Sequence, residues 1–188
     1  CNSITALCEG EIFQSDCAEK QNTTRQSYLE IIHKKTASLL GTSASVGALA
    51  VRAPRERVEL MRSFGEALGM AFQIQDDILD FSPSARTGKP SNNDLREGKI
   101  TLPLLDVLER VDAERRSELL ERLARCHEDE ESVALLQRTV VEEGGLEAAA
   151  RVMQGYLRRA LDLLSTYEDS PARTALANLC AYVAERDR

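Results

Sequence analysis

Three aspartates, Asp76, Asp77 and Asp80, lie in a short apolar segment with a spacing that suits a metal ion. At about 100° per residue of helix, they fall within an arc of roughly 100°, and Gln73 lies in the same arc one turn earlier. Like charges one turn apart destabilise a helix, and a carboxylate among apolar neighbours is costly unless it is paired or protonated. Mg²⁺ removes both penalties, since it binds one or two carboxylates together with waters and substrate phosphates. The segment therefore predicts a Mg²⁺ site.

The stretch that follows carries the opposite charge. Lys89, Arg96 and Lys99 lie on a segment rich in Gly, Pro, Ser and Asn, whose backbone can fold back over the acids. Carboxylates that hold a metal, opposed by lysines, are the components of a diphosphate-binding site. The alternative is a solvated acidic helix end followed by an ordinary charged loop, and the carboxylates alone favour that alternative. The lysine-bearing loop reverses the preference, because loops of this length are often functional lids.

The sequence around these residues is similar to one known family. The segments FQIQDDILD and GKPSNNDLREGKITLP resemble the second aspartate-rich region of the trans-prenyl diphosphate synthases, all-helical enzymes that make farnesyl, geranylgeranyl and polyprenyl diphosphates. The resemblance extends from about Glu9 to Leu105 and continues weakly to the end of the chain. It implies an all-α fold, an antiparallel helical bundle of the isoprenoid synthase type, with residues 1–188 forming a single domain.

The resemblance also implies roles for individual residues. Three aspartates would bind Mg²⁺: Asp76, Asp77 and Asp80. Two lysines, each in a Gly-Lys pair, would contact the diphosphate as the loop closes over it: Lys89 and Lys99. Asp94, between those pairs, would act at a distance from the metal or through water. Arg96 could instead pair only with its neighbour Glu97 or with solvent.

A second set of implied residues lies earlier in the chain. Lys35 and Thr36, within YLEIIHKKTA, match a Lys-Thr pair, so that Lys35 would bind the allylic diphosphate. Oriented dipoles from Thr36, Gln73 and backbone carbonyls would stabilise a developing carbocation. Without this context, Lys35 in the apolar row of its helix could simply extend to solvent. Glu11 matches a GE..Q pattern of the family and could equally be an ordinary surface charge.

The implied enzyme is a transferase, a polyprenyl diphosphate synthase with Mg²⁺ as its cofactor. Its substrates would be an allylic prenyl diphosphate and isopentenyl diphosphate. In the family, Mg²⁺ and lysines make the diphosphate a better leaving group, and the allylic cation then alkylates isopentenyl diphosphate with loss of a proton. Spacing alone would predict only metal-dependent diphosphate chemistry.

The chain departs from the family in one respect. Members carry two aspartate-rich regions on facing helices, and only the second has a counterpart here. We therefore expect the C-terminal portion of a synthase, ending in CAYVAERDR, that works with a missing N-terminal half and, as in the family, as a homodimer. The alternative is a non-catalytic or regulatory subunit of a heteromeric prenyl diphosphate synthase. A terpene cyclase-like site ranks lower, because Asn93, Asp94 and Glu97 lack the Ser or Thr of that motif. An Asp-rich metal-binding helix without catalysis ranks below it.

Long helices are needed to position these residues, and the hydrophobic periodicity predicts them. The expected ranges are Cys1–Lys20, Thr24–Ala50, Pro54–Phe81, 102–110, 113–127, 129–143, 145–168 and 171–186. The expected apolar stripe of the first helix is Ile4, Leu7, Cys8, Glu11, Ile12 and Ser15. Gly65 and Gly69, four residues apart in the third helix, predict a close contact with another helix.

Composition excludes several classes of function. A hydrophobic content of 43% over 188 residues suffices for one domain with a core, and the net charge of −7 argues against a nucleic-acid partner. Five cysteines without a CxxC pair are typical of a reduced, cytoplasmic protein. The longest uncharged run, Thr36–Val51, is shorter than the roughly 20 residues of a membrane-spanning helix, and no signal peptide is evident.

Overall fold

Helices form all the regular structure that the computed structural model describes, which covers residues 2–81 and 92–186. The helices are α1 Asn2–Lys20, α2 Arg25–Ile32, α3 Ser38–Ala50, α4 Arg55–Asp80, α5 Asn93–Arg96, α6 Leu102–Arg110, α7 Ala113–Arg125, α8 Glu130–Glu142, α9 Gly145–Ser165 and α10 Pro171–Glu185. A π-helical turn, His33–Ala37, joins α2 to α3, so that residues 25–50 form the one long helical run expected from the sequence. The all-α prediction is confirmed.

Helix α4 is the element on which the others assemble. It begins after Pro54, whose missing N–H costs nothing at a helix start, and it packs against both α3 and α9. Its buried residues include Phe64, Leu68 and Ile74, and they join the single large core that also contains the leucines of α6 to α8. The acidic end of this helix is therefore held on a rigid, well-packed support.

Two glycines allow α4 to approach α3 and the π-helical turn closely. A Cβ atom on Gly65 would lie 2.5 Å from the carbonyl oxygen of Leu40, and one on Gly69 would lie 2.6 Å from the Cα atom of Ala37. Both contacts are with backbone or Cα atoms, which cannot rotate away. The predicted close helix contact is confirmed, and it brings the π-helical turn against the acidic helix.

The predicted apolar stripe of α1 is wrong. Ile4 and Ile12 are each 71% exposed, whereas the packed side of this helix carries Gly10 and Cys17. A Cβ atom on Gly10 would lie 3.0 Å from the Cβ atom of Lys34, so the glycine lets α1 lie directly on the π-helical turn. Close backbone approach, rather than the hydrophobicity of the stripe, therefore decides which side of α1 packs.

The remaining sequence expectations concern cysteines and membrane spans. Cys17, Cys126 and Cys180 are buried free thiols and Cys8 is an exposed one, in agreement with the expected reduced cysteines. Among residues 2–81 and 92–186, none of the helices combines the length and the apolar character that a membrane span requires.

Replacing Gly65 by alanine should lower the free energy of unfolding by about 1–3 kcal/mol, the usual cost of overpacking a tight contact. The matched control is Gly47→Ala in α3, where nothing lies within 4 Å of the added Cβ atom. That variant should instead be stabilised by roughly 0.5–1 kcal/mol, since alanine is the better helix former. Urea denaturation of both variants measures the difference. Equal shifts in the same direction would contradict the close α3–α4 contact.

Candidate active site

Lys35 and Thr36 lie in the π-helical turn, a local distortion that is frequent at functional sites. The ammonium of Lys35 lies 2.9 Å from Oε1 of Glu11 and donates a hydrogen bond of 3.0 Å to Oε1 of Gln14. Both partners belong to α1. Glu11 is therefore an ion-pair partner of Lys35, although its own side chain is 49% exposed.

Gln73 links this turn to the acidic helix. The hydroxyl of Thr36 donates to Oε1 of Gln73 at 2.9 Å, and Nε2 of Gln73 donates to Oδ1 of Asp77 at 3.0 Å. These side chains come from the π-helical turn and from α4. The structure thus brings together three residues that the sequence assigned to one site from two separate segments.

Asp77 is the most buried of the three aspartates, with 4% of its surface exposed. Its Oδ2 accepts a hydrogen bond of 2.6 Å from the hydroxyl of Tyr28, a residue of α2 that is itself 3% exposed. Burial, and next the charge of Asp94, raise the pKa of Asp77 to about 8, although hydrogen bonds from Tyr28 and Gln73 oppose the shift. The sequence analysis missed Tyr28. The only available signal was that a buried tyrosine usually needs a hydrogen-bond partner.

Asp80 anchors the short helix α5 to the end of α4. Its two carboxylate oxygens accept hydrogen bonds from the backbone N–H groups of Asn93, at 3.2 Å, and Asp94, at 3.1 Å. This contact sets Asp94 beside the acidic helix. Burial and the charge of Asp80 raise the pKa of Asp94 to about 6, against the opposing charges of Lys99 and Lys35.

Lys99 is the cation of the predicted lid that the structure places at this site. Its ammonium lies 4.0 Å from Oδ1 of Asp94 and also pairs with Glu97. It lines a small cavity of about 10 Å³ together with Gln14 and Tyr28. The guanidinium of Arg96 donates two hydrogen bonds to the carboxylate of Glu130 on α8.

Lys89, the other predicted lysine of the lid, lies outside the described residues.

Asp76 is the aspartate of the motif whose side chain is most open to solvent, at 42% exposed, and its partner was not foreseen. Arg186, just after α10, forms an ion pair with its carboxylate, donates to the carbonyl oxygen of Phe72 at 3.3 Å and places its guanidinium 4.0 Å from the ring centroid of Phe72. No local sequence pattern could have identified a partner that lies 110 residues away.

The carboxylates of this site fit a metal ion that is shared with a phosphate. Within residues 2–81 and 92–186, no group of three or more Asp, Glu, His or Cys side chains is placed to hold a metal ion. Burial, together with the charges of neighbouring carboxylates, raises the pKa values of Asp77 and Asp94 and so disfavours their ionised forms, a penalty that a bound cation would offset. A hard cation that needs only one or two protein carboxylates, with its other ligands from water and substrate, matches this donor set.

Comparison with known proteins decides the family. The sequence model of the polyprenyl synthetases matches residues 1–140. The chain belongs to the polyprenyl synthetase family. This confirms the resemblance to the prenyl diphosphate synthases, and the likeness to their solved structures confirms the isoprenoid synthase type of helical bundle.

Two relatives among the family members illustrate the extent of the match. The short chain isoprenyl diphosphate synthase of Methanothermobacter thermautotrophicus is 34% identical over 187 residues, which is 99% of this chain and 57% of that protein. The heptaprenyl diphosphate synthase component 2 of Geobacillus stearothermophilus is 33% identical over 98% of this chain and 57% of its own length. The chain therefore spans less than two thirds of these relatives.

Solved structures give the same result. A decaprenyl diphosphate synthase from Rhodobacter capsulatus matches all of this chain and 58% of its own, with 33% identity and a TM-score of 0.89. A polyprenyl synthase from Caulobacter crescentus, complexed with calcium and isoprenyl diphosphate, matches 99% of this chain and 57% of its own, with 31% identity and a TM-score of 0.91.

The stability of the metal-free protein should fall as the pH rises from about 4 to about 8. Folded Asp77 and Asp94 have pKa values of about 8 and about 6, above their ordinary value of 3.8, so the folded state keeps protons that the unfolded chain has already released. Each rise in pH within that window therefore favours the unfolded chain. Urea denaturation at several pH values, in the presence of a metal chelator, measures the slope.

The variant Asp77→Asn should flatten that slope, whereas Asp162→Asn, on the exposed side of α9, should leave it unchanged. A wild-type stability that is flat or rises between pH 5 and pH 8, relative to Asp77→Asn, would show that the site does not hold buried, uncompensated carboxylates.

Proposed function

We propose that this chain is the C-terminal portion of a trans-prenyl diphosphate synthase, which condenses an allylic diphosphate with isopentenyl diphosphate head to tail in the presence of Mg²⁺. The observation that carries the proposal is the hydrogen-bonded link from Thr36 through Gln73 to Asp77, with Lys35 next to it in the chain. It joins a cationic turn to an acidic helix. This is the combination that a substrate with a charged diphosphate and a reactive allylic carbon requires.

The proposed metal residues are Asp76, Asp77 and Asp80, which supply the negative charge of the site. When bound, Mg²⁺ would neutralise the diphosphate and improve it as a leaving group. The neighbour from Caulobacter crescentus, described as complexed with calcium and isoprenyl diphosphate, supports a divalent cation and a substrate of this class.

The cationic residues would hold the diphosphate itself. The ammonium of Lys99 lies 4.0 Å from Oδ1 of Asp94, and the positive charge of Lys35 also lowers the pKa of Asp94. A diphosphate there would replace Glu11 as the partner of Lys35 and Glu97 as the partner of Lys99. We assign the same role to Lys89, on the basis of its Gly-Lys pair.

Thr36 and Gln73 would act on the carbon skeleton instead. Their oxygens are fixed in place before the substrate arrives, and fixed dipoles stabilise a developing positive charge more than mobile water does. They are the catalytic residues of the proposal together with Lys35, which would stabilise the charge on the departing diphosphate.

Prenyl transfer would need a second component, because the chain spans 57% of the relatives' length. The first aspartate-rich region of the family has no counterpart in these 188 residues. We propose that the N-terminal half, or a partner subunit, supplies it, and that the complete enzyme is a homodimer. The alternative is that this chain is a non-catalytic or regulatory subunit of a heteromeric prenyl diphosphate synthase, and relatives that are named component 2 of a heptaprenyl diphosphate synthase are consistent with it. A cytoplasmic location stays a prediction from the unpaired cysteines.

Mixing the 188-residue chain with the N-terminal portion of the Methanothermobacter relative should restore Mg²⁺-dependent incorporation of labelled isopentenyl diphosphate into longer prenyl chains. Lys35→Ala or Asp76→Ala should reduce that activity by about 10²–10³-fold, the usual loss when a group that stabilises transition-state charge is removed.

The matched control is Lys20→Ala, which removes an exposed lysine of α1 that pairs only with Asp16 in the same helix. It should leave the restored activity unchanged. If the Lys35 and Asp76 variants restore activity as well as the wild type does, the chain serves as a regulatory subunit and the catalytic assignment fails.

A further inference from the structure

One buried tyrosine that contacts the acidic helix has no role in the function proposed above. Tyr28 of α2 packs its ring in the main core, and its hydroxyl donates to Oδ2 of Asp77, 49 residues further along the chain. Burial, and next the charge of Asp77, raise the pKa of this hydroxyl well above its ordinary value of 10. The packing of the ring in the core therefore sets the position of the hydroxyl that donates to Asp77.

This hydrogen bond fixes the orientation of the next residue. With Oδ2 of Asp77 bound to Tyr28, Oδ1 accepts from Nε2 of Gln73. A glutamine amide has a donor end and an acceptor end, so the contact with Asp77 decides which end faces the other way. The acceptor end, Oε1, faces Thr36.

The same direction extends to the π-helical turn. The hydroxyl of Thr36 donates its hydrogen bond to Gln73, so the lone pairs of the hydroxyl oxygen remain available to a substrate. If the Gln73 amide turned over, its NH₂ group would point at Thr36 and the hydroxyl would have to accept instead of donate. A positive charge on the substrate would then meet hydrogen atoms rather than oxygen lone pairs.

We propose that Tyr28 is a positioning residue for the prenyl transfer proposed above, whose hydroxyl holds the Asp77 carboxylate so that Gln73 and Thr36 present oxygen to the reacting carbon. The inference rests on that proposed function. The side chain of Asp77 is almost fully buried, and each of its oxygens accepts a hydrogen bond. One comes from Tyr28 and the other from Gln73, so Asp77 connects the tyrosine to the glutamine and holds the glutamine in place. Without the hydroxyl, Oδ2 loses a buried partner and the carboxylate becomes free to turn.

The test is Tyr28→Phe in the full 188-residue chain, since phenylalanine keeps the buried ring and removes only the hydroxyl. In the enzyme restored with the N-terminal portion of the relative, kcat should fall by about 10–100-fold, the usual effect of losing an outer partner of a site residue. The KM for the allylic diphosphate should stay within about twofold, because the proposed diphosphate-binding residues Lys35 and Lys99 are held by ion pairs with Glu11, Asp94 and Glu97. The matched control is Tyr182→Phe. Tyr182 lies on α10 and is 63% exposed, so this variant should change neither kcat nor KM.

A second readout needs no catalysis. The side-chain ¹⁵N amide signal of Gln73, assigned as the one lost in Gln73→Leu, should shift or broaden in Tyr28→Phe and stay in place in Tyr182→Phe. Absence of prenyl transfer by the wild-type mixture would end the proposed function, and the amide signal would still judge the role of Tyr28. An unchanged Gln73 signal, or a changed signal with unchanged kcat, would overturn the positioning role.

A merely structural role would give a different result, namely a lower Tm with kcat and KM affected together. Should Tyr28→Phe fail to fold, the Gln73 amide signal is measured in Asp77→Asn, which keeps the tyrosine ring in place; only this signal is compared, because Asp77 is also a proposed metal residue. The asparagine side chain has one acceptor oxygen and one NH₂ group, so it cannot accept from Tyr28 and Gln73 on separate atoms. The Gln73 signal should move in that variant as well, and an unmoved signal there would overturn the inference.

Discussion

Close packing of α4 against α3 and the π-helical turn brings Thr36 and Gln73 together at the centre of the site. Gly65 and Gly69 remove side chains from the contact, so the backbone of Leu40 and Ala37 approaches α4 directly. Thr36, next to Ala37, then lies within hydrogen-bond distance of Gln73. The contact between Thr36 and Gln73 therefore depends on glycine at positions 65 and 69.

Charge is the second constraint. Asp76, Asp77 and Asp80 come from one helix face, yet each has a different partner: a guanidinium, a phenol with an amide, and two backbone N–H groups. Two lysines oppose the negative charge of the site, namely Lys35 in the π-helical turn and Lys99 in the segment before α6. Separate partners offset part of the repulsion among the three aspartates, and a substrate that brings a cation would offset more of it.

The sequence could predict what is local. Helix α4 and its acidic face follow from periodicity and spacing, since neighbours one turn apart are fixed by helix geometry, whereas the roles of Lys35 and Thr36 followed from the resemblance to the family. Tyr28 and Arg186 could not be found, because their carboxylate partners lie 49 and 110 residues away and depend on tertiary packing. The π-helical turn has no signature in the hydrophobic pattern. The packed side of α1 was predicted wrongly because Gly10 decided it by size, which a hydrophobicity count ignores.

The guanidinium of Arg186 has a thermodynamic consequence for its surroundings. Any external ion that approaches Asp76 competes with a cation tethered to the end of α10 and held on the ring of Phe72. The apparent affinity of Asp76 for an added cation is therefore lower than its intrinsic affinity, by the free energy needed to release Arg186. Binding of a cation at Asp76 and release of the end of α10 thus become two sides of one equilibrium, although Asp76 and Arg186 are 110 residues apart in the sequence.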